Sequence, residues 1–227
     1  KPTDKMIDLI GDNYSLLQVM SRFGLSLGFG DKTVKEVCEM NNVDCQTFLV
    51  VVNFMAEGFS RMDGSADDIS IPALVDYLRQ AHIYFLDYCL PAIRRKLIEA
   101  IDCSQDDVSF LILKFFDGYM REVRKHMEYE EKTVFKYVDT LIHGNAPKNY
   151  QISTFSKHHD QVGERLTELK NIIIKYCPAK ANTNVLNAAL FDIYACEEGL
   201  ESHCKVEDYL FVPAILKLER RMRENEK

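Results

Sequence analysis

Tryptophan is absent, and glycine (10) and proline (6) are scarce among the 227 residues. So few breaks argue against a loop-rich β-sandwich or a disordered chain and favour long helices. Cysteine occurs seven times, at 38, 45, 89, 103, 177, 196 and 204, but never as C-x-x-C. An odd number without that spacing fits reduced, mostly buried thiols better than a disulfide framework. No apolar run approaches the roughly 18 residues of a membrane span; Phe48–Met55 is the nearest, and it is short. The chain opens Lys1-Pro2-Thr3-Asp4 with no charged-then-apolar leader, which reads as a cytoplasmic protein without a membrane partner. Positive charge is not in excess: the net charge is −7, against general affinity for a phosphate backbone. What is present is core material. Apolar residues make up 47% and charged residues 28%, enough for one large soluble domain or two small ones.

The breaks that do occur divide the chain. Residues 1–65 read as a small helical domain. Asn13 is placed to cap a helix through Phe23, Thr33 one over Val34–Met40, and Asp44 one running to about Phe59. Gly24, Gly28 and Gly30 interrupt it, and Gly58, Gly64 and Ser65-Ala66-Asp67-Asp68 mark its end. Residues 66–227 show helical periodicity in four long segments: about Pro72–Ile101, a second to about Ile142, about Asn149–Tyr176, and about Thr183–Arg223. Long helices with short connections predict an all-α, up-down-up-down four-helix bundle. Pro91 and Pro213 fall inside these patterns and are expected to end or kink a helix.

Each long segment carries one histidine on its apolar stripe. His82 aligns with Leu78, Leu86 and Cys89, His126 with Tyr119 and Val123, His159 with Phe155 and Leu166, and His203 with Leu200 and Leu210. Forty-four residues separate His82 from His126, and the same number separate His159 from His203. The midpoints, 104 and 181, fall in the first and third breaks, so each antiparallel hairpin sets its two histidines level. The repeat suggests duplication of one hairpin. Glu130 follows His126 by four residues and Glu207 follows His203 by four, so each pair shares one helix face.

A single inward histidine is an ordinary core residue. Four, one per helix, with two carboxylates one turn on, make a ligand set for two transition metals: His82, His126, Glu130, His159, His203 and Glu207. Imidazole with carboxylate suits iron or manganese, with zinc an alternative; no thiolate cluster draws a softer ion. His143 and His158 are read as loop and solvent-facing residues. Glu128, Glu131 and Asp208 neighbour the ligands but point about 100° away on a regular helix, so they are read as surface residues or as supports behind the ligands. Cys204, Tyr119 and Tyr194 are read first as packing.

On His82 with Leu90-Pro91, His126-Met127-Glu128-Tyr129-Glu130, His159-Asp160, and His203-Cys204-Lys205-Val206-Glu207 with Pro213, the sequence resembles the hemerythrin-like proteins of the repair of iron centres family. The resemblance covers most of the chain. It implies a non-haem di-iron centre, oxo- and carboxylate-bridged, with the four histidines as terminal ligands and the two glutamates as bridges. It also implies reaction with nitric oxide or oxygen in nitrosative or oxidative stress, and support of iron–sulfur cluster repair. That family carries a Cys-Cys pair in its N-terminal domain. Here Phe23-Gly24-Leu25-Ser26-Leu27 leads into Gly28-Phe29 where the pair would stand. A thiol step assigned to that pair cannot occur in the same way, which keeps open an oxygen- or nitric-oxide-sensing module without turnover. Through its N-terminal domain the chain would meet a protein partner or a second copy. A DNA-binding reading of Thr33–Phe54 fails on Gln46–Asn53, which is nearly all apolar and has no arginine or lysine.

Overall fold

The computed structural model describes residues 1–57, 69–101, 107–145, 150–157, 162–178 and 181–225. It is all-α. Among these residues the only strand-like contact is an isolated bridge between Lys5 and Thr33. The helices in chain order are α1 (Met6–Asp12), α2 (Leu16–Arg22), α3 (Val34–Met40), α4 (Cys45–Glu57), α5 (Ile71–Ile83), α6 (Leu90–Ala100), α7 (Asp107–Tyr129), α8 (Phe135–Ile142), α9 (Val162–Tyr176), α10 (Thr183–Val206) and α11 (Val212–Asn225). Wide π-helical turns at Tyr84–Cys89, Glu130–Val134 and Glu207–Phe211 join α5 to α6, α7 to α8, and α10 to α11. The chain divides into two compact units, residues 1–81 with 206–227, and residues 82–205.

In the first unit, α3 begins where the sequence predicts. The Thr33 hydroxyl accepts from the Glu36 N–H at 3.3 Å, and the Thr33 N–H donates to the Glu36 carboxylate at 2.7 Å, a reciprocal capping box. We expect Thr33→Ala to lower stability by about 0.5–2 kcal/mol in urea unfolding. Asp44 accepts from the Thr47 N–H at 2.7 Å at the head of α4. The helix expected through Phe23 is α2, and Asn13 stands in the turn between α1 and α2, where its carboxamide accepts from the Ser15 N–H at 3.1 Å. Asn and Asp side chains make such local turns as readily as caps. Phe48, Leu49, Val50, Val51 and Val52 are buried, so α4 is a core helix. Phe23 packs against Phe48 and Tyr77, with ring centroids 5.4 and 4.8 Å apart. The proposed boundary at Gly64–Asp68 lies outside the described residues.

In the second unit the contacts show antiparallel neighbours. His82 meets Glu130, and twelve residues on, Arg94 meets Asp117, thirteen residues earlier in the second helix. The Arg94 fork makes two hydrogen bonds to Asp117, at 2.6 and 3.1 Å, and holds that carboxyl below its ordinary range. Both groups are partly exposed, so Arg94→Ala should cost no more than about 1 kcal/mol by thermal unfolding.

One expectation needs correcting. The third helix does not start near Asn149. Residues 152–157 form a 3-10 turn, and the described α-helix starts at Val162. Ile152 and Phe155 are fully buried, and their three-residue spacing eclipses in a 3-10 turn, so both side chains enter the core together. Each proline stands where the regular helix is interrupted, Pro91 in the first turn of α6 and Pro213 in that of α11. The π-turns precede them: the Leu90 N–H reaches back five residues to Phe85, and Val212 to Glu207. A wide turn already breaks the ordinary ladder, so the donor missing from Pro91 or Pro213 costs little just beyond it.

Candidate metal centre

The bundle places His82, His126, Glu130 and His203 together. His82 (3% exposed) ends α5, Glu130 (0%) opens the π-turn after α7, and His203 (1%) lies in the last turn of α10. The two oxygens of Glu130 face different imidazoles. One lies 2.8 Å from Nε2 of His82, the other 2.7 Å from Nε2 of His126. Ligand atoms of His82, Glu130 and His203 all fall within 4.8 Å of one another. The His82 and His203 rings meet edge to face at 5.1 Å, and Phe85 closes on His203 at 6.0 Å. His82 also stacks on Phe135 at 5.5 Å.

Glu207 is completely buried at the start of its π-turn, four residues beyond His203 in the same helical run. His159 lies outside the described residues, as does His158. His143 is exposed at the end of α8, where its ring bonds the Asp139 carbonyl at 2.7 Å. Tyr194 is 44% exposed and lies under the Lys170 ammonium, so it is a surface residue; Tyr119 is core. Glu128 pairs with Lys132 at 2.7 Å in solvent.

Of the two roles expected for Glu131, surface residue or support behind a ligand, the structure shows the second. Its carboxylate lies 3.0 Å from Nδ1 of His82. Glu131 follows Glu130 inside the π-turn, which advances fewer degrees per residue than an α-helix and so keeps both glutamates near one histidine. A carboxylate behind an imidazole fixes the ring and leaves Nε2 turned inward, the usual support for a metal-ligating histidine. A π-turn lies beside each of His82, Glu130 and Glu207, and a proline follows it only after the first and the third.

Burial alone would raise the pKa of Glu130. Hydrogen bonds from His126 and His82, with their positive charge, outweigh it and hold the carboxyl well below its ordinary range. Burial likewise pushes His82 down, but Glu130 and Glu131 together raise it. A cation at Nε2 of His82 would compete with the proton that Glu130 and Glu131 favour there.

The donor set fits a metal. Buried imidazole nitrogens and a buried carboxylate converge from three helices, and no cysteine thiol is among the grouped ligand atoms. A helical bundle with such a core defines a metal-binding module. The hemerythrin HHE cation-binding domain matches residues 73–215, more than half of the chain, and the chain belongs to this family. No curated protein matches it. Among the described residues no helix is long and apolar enough to cross a membrane.

Proposed function

We propose that the protein is a non-haem di-iron protein reacting with nitric oxide or oxygen in nitrosative or oxidative stress. In this reading His82, His126, His159 and His203 are terminal ligands, and Glu130 and Glu207 bridge. Residues 1–65 are the accessory domain and 66–227 the metal-binding one. The observation that carries it is Glu130: one buried carboxylate presents its two oxygens to imidazoles from two helices, as a bridge between two cations requires. Bound iron supplies open coordination positions and redox chemistry for a diatomic ligand. The chain's own part is to hold the ligands, orient His82 through Glu131, and keep water out with Phe85 and Phe135. Membership of the iron–sulfur cluster repair subfamily, and a role in repair, belong to the same proposal.

Anaerobic iron loading tests it. About two irons per chain are expected from a six-ligand carboxylate-bridged set, with absorption that nitric oxide perturbs. A ratio below about one and a half overturns the di-iron reading.

One observation favours a sensing module over turnover. Gly28, where the resembling family carries a cysteine, has φ +89°, a conformation that side-chain-bearing residues rarely adopt. The loop is therefore built for glycine rather than for a thiol pair. Release of nitrous oxide under nitric oxide supports turnover; reversible spectral change without product supports sensing.

A further inference from the structure

The first and fourth helices of the bundle run antiparallel, and two contacts show it. His82 meets His203 with ring centroids 5.1 Å apart. Fourteen residues on from His82, Lys96 bonds Asp192, eleven residues back from His203, at 2.5 Å. Between these two contacts, seven residues on from His82 is Cys89, and seven back from His203 is Cys196. Both cysteines therefore lie on the packed stretch of these two helices, between the histidine contact and the Lys96–Asp192 contact. Both turn inward: Cys89 is 7% exposed and Cys196 2%.

We propose that Cys89 and Cys196 form a redox-active dithiol that hydrogen peroxide converts to a disulfide linking the first and fourth helices. The proposal does not depend on the metal reading, since neither residue is in the ligand set. The two thiols hydrogen-bond to each other, and that contact together with burial keeps Cys196 protonated. Cys89, the more accessible, meets the oxidant first. Its deprotonated sulfur attacks one peroxide oxygen and the O–O bond breaks. The leaving hydroxide takes up a proton as water, and Cys89 becomes a sulfenic acid. The Cys196 sulfur then attacks the Cys89 sulfur. The S–O bond breaks, and the departing hydroxide carries off the Cys196 proton as a second water. Two thiols are oxidised to one disulfide, and one peroxide is reduced to two waters. The cross-link closes a long loop and pins the helices seven residues along the chain from His82 and from His203.

The test uses the full chain treated with hydrogen peroxide, denatured, alkylated and digested. Mass spectrometry should find a Cys89–Cys196 peptide pair that dithiothreitol separates, and the thermal midpoint should rise on oxidation. In Cys89→Ala and in Cys196→Ala, each checked for native helicity by circular dichroism, the remaining partner should stay alkylatable and the rise should vanish. If Cys89 and Cys196 of the unsubstituted chain both stay alkylatable after peroxide, the proposal fails. It fails equally if either pairs instead with Cys204 or with a cysteine of another chain.

Discussion

Glu130→Gln is expected to bind iron at least about 100-fold more weakly than the unsubstituted protein, because even outer supports of metal ligands are worth 10–100-fold. The amide keeps the shape of the side chain, so the buried site does not collapse. What it loses is the negative charge shared between two imidazoles at 2.7 and 2.8 Å. An uncharged carboxamide cannot neutralise two cations in a buried site. Metal analysis after dialysis against a graded chelator measures the loss. Native circular dichroism with metal content unchanged would sink the assignment of Glu130 as a ligand. Iron affinity should also fall as the solution is made more acidic. His82 takes up protons more readily than an ordinary histidine, and a proton on Nε2 competes with the metal.

Phe85→Ala is expected to cost about 3–5 kcal/mol of folding stability, the range for removing a fully buried phenylalanine. Phe85 has no exposed surface and lies in the π-turn after α5, with its ring against His203 at 6.0 Å and Tyr84 at 5.2 Å. The cavity would open beside a ligand, so metal retention should weaken along with stability. Phe85→Leu refills part of the volume and should recover part of both. Urea unfolding of metal-free protein reads the packing contribution alone. A loss below about 1 kcal/mol there would mean that the site relaxes around the missing ring.

Much of this was legible in the sequence because the signals are local. The capping box at Thr33 needs only Glu36 three residues away, and it forms as read. The bundle was legible in the 3.6-residue apolar stripes. The 44-residue spacing set His82 level with His126, and both meet Glu130, while His159, which the same spacing sets level with His203, lies outside the described residues. The π-turns were not legible. A wide turn replaces one hydrogen-bonding partner by the next, and its sequence differs little from that of the α-helix around it. Helical angles left Glu131 either at the surface or behind a ligand, and the widened turn decides it by bringing the carboxylate to Nδ1 of His82. The 3-10 turn at Ile152–Lys157 escaped for a related reason, since apolar residues three apart suit either helix.

The sequence by itself determined the helical class, the caps at Thr33 and Asp44, and which histidines and glutamates lie on apolar faces. Each of these follows from periodicity or from hydrogen bonds within a few residues. Only the tertiary structure decided that one carboxylate would serve two imidazoles, that Glu131 would stand behind His82, and that Cys89 would face Cys196. Those depend on the register and rotation of packed helices, which side chains far apart in sequence set together.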